Sequence, residues 1–83
     1  MNPLIMQMKI EREKLKKQIA ELKIKIARLV DELSVYIGTY YGNLTEIDAV
    51  RIEQIGDELL QVKSDILEKS EKLININKEL GND

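Results

Sequence analysis

Carboxylates and amines are the groups with which this sequence could do chemistry: 15 Asp or Glu and 13 Lys or Arg among 83 residues, with no His and no Cys. The two absences remove the commonest general base, the imidazole and thiolate metal ligands, and disulfides. What remains is carboxylate chemistry at residues such as Asp31, Glu32, Asp57, Glu58 and Asp65. A metal or acid–base site needs acids that converge on an enclosed cleft. These acids fall mostly outside the apolar stripes of the chain and read as a solvated face. The stretch Gly38-Thr39-Tyr40-Tyr41-Gly42-Asn43 has glycines but lacks the preceding strand that a phosphate loop requires. No Ser nucleophile with a base and no Walker-type Lys is present, so no catalytic, cofactor-binding or metal-binding residue is expected, and no enzyme.

The elements that must carry these side chains follow from a seven-residue repeat. Ile5, Met8, Arg12, Leu15, Ile19, Leu22, Ile26, Leu29, Leu33, Tyr36 and Tyr40 follow one another in alternating threes and fours, the spacing of a coiled-coil seam. Ile5, Arg12, Ile19, Ile26, Leu33 and Tyr40 take heptad position a, and Met8, Leu15, Leu22, Leu29 and Tyr36 take d. Asn2-Pro3 supplies a cap and a first-turn proline, so a helix is expected over about 3–41. A second stripe runs through Ile52, Ile55, Leu59, Val62, Ile66, Lys69, Leu73, Ile76 and Leu80, with Gly81 as its stop. Thr45-Glu46-Ile47-Asp48 reads as a capping signal, which starts the second helix at Thr45 and gives it the span 45–80. Gly42 and Asn43, types that tolerate positive φ, leave a turn of about 42–44. Gly38 offers an earlier end for the first helix and a longer loop.

One domain is therefore expected, an all-α, two-helix antiparallel coiled-coil hairpin of roughly 55–60 Å at 1.5 Å per residue. A turn near residue 42 sets residues whose numbers add to 84 or 85 face to face, which pairs Leu33 with Ile52, Leu29 with Ile55 and Ile26 with Leu59. Charge agrees: residues 1–41 carry eight basic against five acidic groups and residues 42–83 five against ten, so the halves are +3 and −5 and favour each other.

Both helices have more apolar surface than such a contact needs. Leu60, Leu67 and Ile74 recur every seven residues beside the second seam, and Ala20, Ala27, Val30, Ile37 and Tyr41 flank the first. A wide apolar face on each of two antiparallel helices is the pattern of a four-helix bundle, so the hairpin is expected to pair with a second copy as a homodimer. The oligomer interface is assigned to Leu60, Leu67, Ile74, Ala20, Ala27, Val30 and Ile37. Arg12 and Lys69 interrupt the seams and either snorkel or fix register, with Glu11, Glu13, Glu68 and Glu71 near enough in sequence to neutralise them. Tyr36, Tyr40 and Tyr41 at the closed end pack the end of the bundle or form a binding tip. Gly56 within the second helix calls for a close approach or a bulky neighbour such as Tyr41. Tyr36 is expected to give its hydroxyl to Asp48.

Function is expected to be non-enzymatic, a protein–protein interaction or scaffolding module acting through coiled-coil surfaces. In architecture the chain is similar to the plasmid Rop family, whose paired hairpins form a four-helix bundle that binds RNA loops. The likeness covers the hairpin plan and implies RNA binding as the alternative. Lys9, Lys14, Lys16, Lys17, Lys23, Lys25 and Arg28 make the first helix basic, but Glu11, Glu13 and Glu21 interleave and a net charge of −2 is a poor start for phosphate. A small regulator that masks a helical surface of another protein is the third reading. No apolar run is long enough to span a membrane and no signal-like segment is present, which makes the cytoplasm the default location.

Overall fold

The computed structural model describes residues 2–81, and they form a hairpin of two helices, α1 (Pro3–Tyr40) and α2 (Ala49–Leu80), within an envelope of 64 × 18 × 14 Å. The elongation fits the coiled-coil hairpin read from the sequence. Asn2 caps α1 by accepting from the Leu4 amide at 2.9 Å, and Pro3 occupies the first turn as its fixed φ allows. The helix runs through Gly38 without ending there. At the other end Gly81 takes φ 77° and its amide reaches the carbonyls of Asn77 and Lys78, a left-handed cap that suits a residue without Cβ.

The connection departs from the expected three-residue turn. It spans residues 41–48 and includes a single 3-10 turn at Leu44–Glu46. Neither Gly42 nor Asn43 has positive φ, and Asn43 stands at φ −151°, ψ 84°. Thr45 does not cap α2: its hydroxyl donates to Asn43 Oδ1 at 2.8 Å, and Asp48 is the cap, accepting from the Arg51 amide at 3.0 Å. Asp ranks above Thr as an N-cap, and Ile47, extended at φ −60°, ψ 134°, stands immediately before it. Ile47 and Ile52 have the spacing of a hydrophobic staple and both are half-buried, so starting the helix at Ala49 gains apolar burial as well as the cap.

Leu29, Ile55 and Val62 are buried in one cluster, with Leu22, Ile26, Leu33, Leu59 and Ile66 packed around it. Every member belongs to an a or d row. Two helices alone enclose little, and only Leu15 and Ile19 join those three as buried side chains among the described residues. At the open end the seam loosens, with Ile5 exposed and Met8 and Ile76 half-buried.

Candidate functional site

The hairpin has two flanks, and a single ion pair identifies them. Arg51 of α2 donates through Nε (2.9 Å) and Nη2 to Glu32 Oε1 of α1, and both residues stand at heptad position g. In an antiparallel heptad pair the g rows meet along one flank and the e rows along the other. Arg51 is further held by its Nη1 contact to Gln54, and the hydrogen bond to Glu32 is the main reason its pKa lies above the ordinary value. The numbers 32 and 51 add to 83, close to the expected register. Sequence reasoning placed Glu32 on a solvated face and missed this pair; opposite charges on the two g rows were the signal that could have found it.

Along the g flank the remaining side chains are almost all polar: Glu11, Gln18 and Lys25 on α1, and Glu58, Asp65, Lys72 and Glu79 on α2. The opposite flank carries the exposed aliphatics beside mixed e rows, Lys9, Lys16, Lys23, Val30 and Ile37 on α1 and Gly56, Lys63, Ser70 and Asn77 on α2. Its outer edge on α2 is Leu60, Leu67 and Ile74, with exposures of 69, 60 and 54 %. On α1 it carries Ala20, Ala27, Val30 and Ile37, all exposed, together with Ile10 and Ile24, which the sequence reading left out although a heptad wheel places them at f beside the same stripe. Thus all seven residues assigned to an interface lie on one flank, spread over both helices.

Burial within the seam follows the same division. Of the buried side chains, Leu15, Leu29, Ile55 and Val62 are d residues, on the g side of the seam, and only Ile19 is an a residue. The other a residues of the central region, Ile26, Leu33, Leu59 and Ile66, stay half-exposed on the e side. Four of the five buried side chains therefore lie in the d rows, where Leu22, Tyr36 and Ile76 are half-buried.

At the closed end Tyr36 and Tyr40 pack against each other, ring centroids 5.9 Å apart and tilted by 37°, while Tyr41 is 79 % exposed. Tyr36 and Tyr40, with Val35 and Thr39, line a shallow depression on α1. The expected Tyr36–Asp48 hydrogen bond is not formed, and the Asp48 carboxylate accepts instead from the Arg51 amide of its own helix. Arg12 is half-buried: its Nε is covered without a hydrogen-bond partner and stands 3.5 Å from Glu13 Oε1. Its stem thus follows the seam while the head turns to the neighbouring acid. Glu68 pairs with Lys72 instead of Lys69. Nothing lies within 4 Å of a Cβ built on Gly56, so neither a close helix approach nor Tyr41 explains that glycine within the hairpin.

Of the acids with possible chemistry, Glu32 is engaged by Arg51, Asp65 accepts from Gln61 at 3.0 Å, and Asp31, Asp57 and Glu58 are exposed. Among the described residues no group of three or more Asp, Glu, His or Cys stands close enough to hold a metal ion, and no helix is long and apolar enough to cross a membrane. Comparison with protein-family models, curated proteins and solved structures gives no match.

Proposed function

We propose that this protein is a non-enzymatic interaction or scaffolding module whose working surface is the apolar flank, and that its first partner is a second copy, with which it forms a four-helix bundle. The carrying observation is the coincidence on one flank of an exposed aliphatic row, Leu60, Leu67 and Ile74, with the half-open a rows of both seams. Exposed aliphatics scattered singly are ordinary, but a row repeated every seven residues beside half-exposed core positions is a surface that association can bury. The Cα envelope of the hairpin is 64 Å by 18 Å on this side, so a second copy could cover at most roughly 1,100 Å² in plan, charged and apolar residues together, against about 800 Å² per partner in a standard stable interface. The polar flank and its ion pair remain in solvent and keep the assembly from growing beyond two layers.

Equilibrium sedimentation at micromolar concentration tests this reading. A dimer of the 9.6 kDa chain is expected for the unaltered protein, and a monomer of unchanged helix content for Leu60→Lys combined with Leu67→Lys. A monomer for the unaltered chain would rule the homodimer out.

A further inference from the structure

We infer that the charges of the g rows hold α2 in one of two registers that the seam accepts, the second lying one heptad further along α1. This concerns the hairpin itself and stands apart from the dimer.

The seam does not choose between the two. As observed, Leu33 is level with Ile52 and Ile26 with Leu59, while Met8 and Ile5 meet Ile76 and Leu80 at the loose open end, where Ile5 is exposed. The a and d stripe of α1 continues through Tyr36 and Tyr40, for which α2 has no apolar layer: Tyr36 is level with Asp48. Moving α2 by one heptad sets Tyr40 on Ile52, Tyr36 on Ile55, Leu33 on Leu59 and Ile26 on Ile66, and gives up the loose layers of Ile5 and Met8. Lys69 then meets Leu22 instead of Leu15, and Arg12 meets Leu80 instead of Leu73, so each polar intruder still faces a leucine. The connection permits the move. Ala49 is level with residues near 36, so residues 41–48 now double back over the last turn of α1. After the slip they cross between neighbouring helix ends about 8–10 Å apart, well within their reach. A slip in the other sense is excluded by the seam, since it sets Leu29 on Asp48.

The e rows do not oppose the move either, because Lys23 is level with Lys63 as observed and with Ser70 after it. The g rows do. Steps of seven from the Glu32–Arg51 ion pair bring Lys25 level with Glu58 and Glu11 with Lys72, opposite charges each time. Only the first is closed as an ion pair among the described residues, Lys72 being 3.2 Å from Glu68 of its own helix. After the slip Glu32 meets Glu58 and Glu11 meets Glu79, two like pairs, and Lys25 on Asp65 is the favourable contact left. Exposed charge pairs are individually weak, but between two equally apolar seams their signs decide. The repulsive pairs exclude the second register as much as the attractive ones favour the first.

The chain has no Cys, so spin labels on Gln7→Cys and Gln61→Cys, both exposed sites, measure the offset of the two helices. The labelled chain is mixed with a large excess of unlabelled chain, so that distances within one hairpin dominate. Circular dichroism reports helix content on the same samples. Glu11→Lys with Glu32→Lys makes both like pairs of the slipped register opposite, and both of these pairs in the observed register like. The slip carries α2 about 10 Å along α1, and this double variant is expected to lengthen the label distance by most of that. A folded double variant that keeps the short distance of the parent would overturn the proposal. Glu11→Gln with Glu32→Gln removes the choice without adding charge, and it decides the matter if the reversed variant does not fold. Both distances are expected from it, and the short one alone would count against a register held by charge.

Discussion

The two flanks of this hairpin are made from the same two helices with the same period, yet one is finished and the other is not. On the g side, d residues are buried and the rim closes with the Glu32–Arg51 pair. On the e side every central a residue except Ile19 stays half-exposed, and the rim mixes aliphatic side chains with Lys, Ser and Asn. A charged rim tolerates water and so ends a structure; an aliphatic rim over an open seam leaves apolar area whose burial is worth about 25 cal/mol per Å². The contrast teaches that two helices sharing one seam can differ from flank to flank in how their rim residues meet solvent.

The seam common to both flanks should show the largest effect. Ile55 has no exposed surface, so Ile55→Asp is expected to remove at least about 4 kcal/mol and abolish the cooperative transition in a urea titration. A loss under about 1 kcal/mol would mean that Ile55 does not sit in the core.

Placing the same new charge on each flank tests the contrast directly. Leu67→Lys is expected to raise the dimer dissociation constant by about a hundredfold, near 2.7 kcal/mol, with helix content unchanged, while Asn75→Lys on the polar side leaves association as it was. Equal effects in sedimentation would erase the distinction between the flanks.

Smaller effects belong to the closed end. Asp48→Ala is expected to lower stability by about 1 kcal/mol and Thr45→Ala by less than about 0.5, reversing the capping order read from the sequence. Chemical denaturation of the two variants measures the order.

The least effect is expected from the polar rim. Glu32→Gln and Arg51→Gln should show a coupling at low salt that fades towards 1 M, because the pair is partly exposed and screened. The raised pKa of Arg51 puts the stability from its charge below the unfolded guanidinium value, to be lost only as pH rises through the folded one. That window lies above the working range, so salt and not pH is the handle on this pair. A coupling that survives high salt would make the polar flank as structural as the seam.

Periodicity determined the two helices, their a and d rows and the residues of the apolar stripe, and residue type the Asn2 and Gly81 caps, because these depend on spacing along one chain and on local backbone chemistry. The path of the reversal was not legible. Thr45 and Asp48 are both competent caps, and the choice fell to Asp48 with Ile47 half-buried beside it, a matter of how the loop packs. Nor could one strip of sequence say that Glu32 and Arg51 would meet, or that four of the five buried side chains would come from the d rows. Those outcomes depend on how far each helix rolls about its own axis against the other, a rotation that only the packed pair fixes.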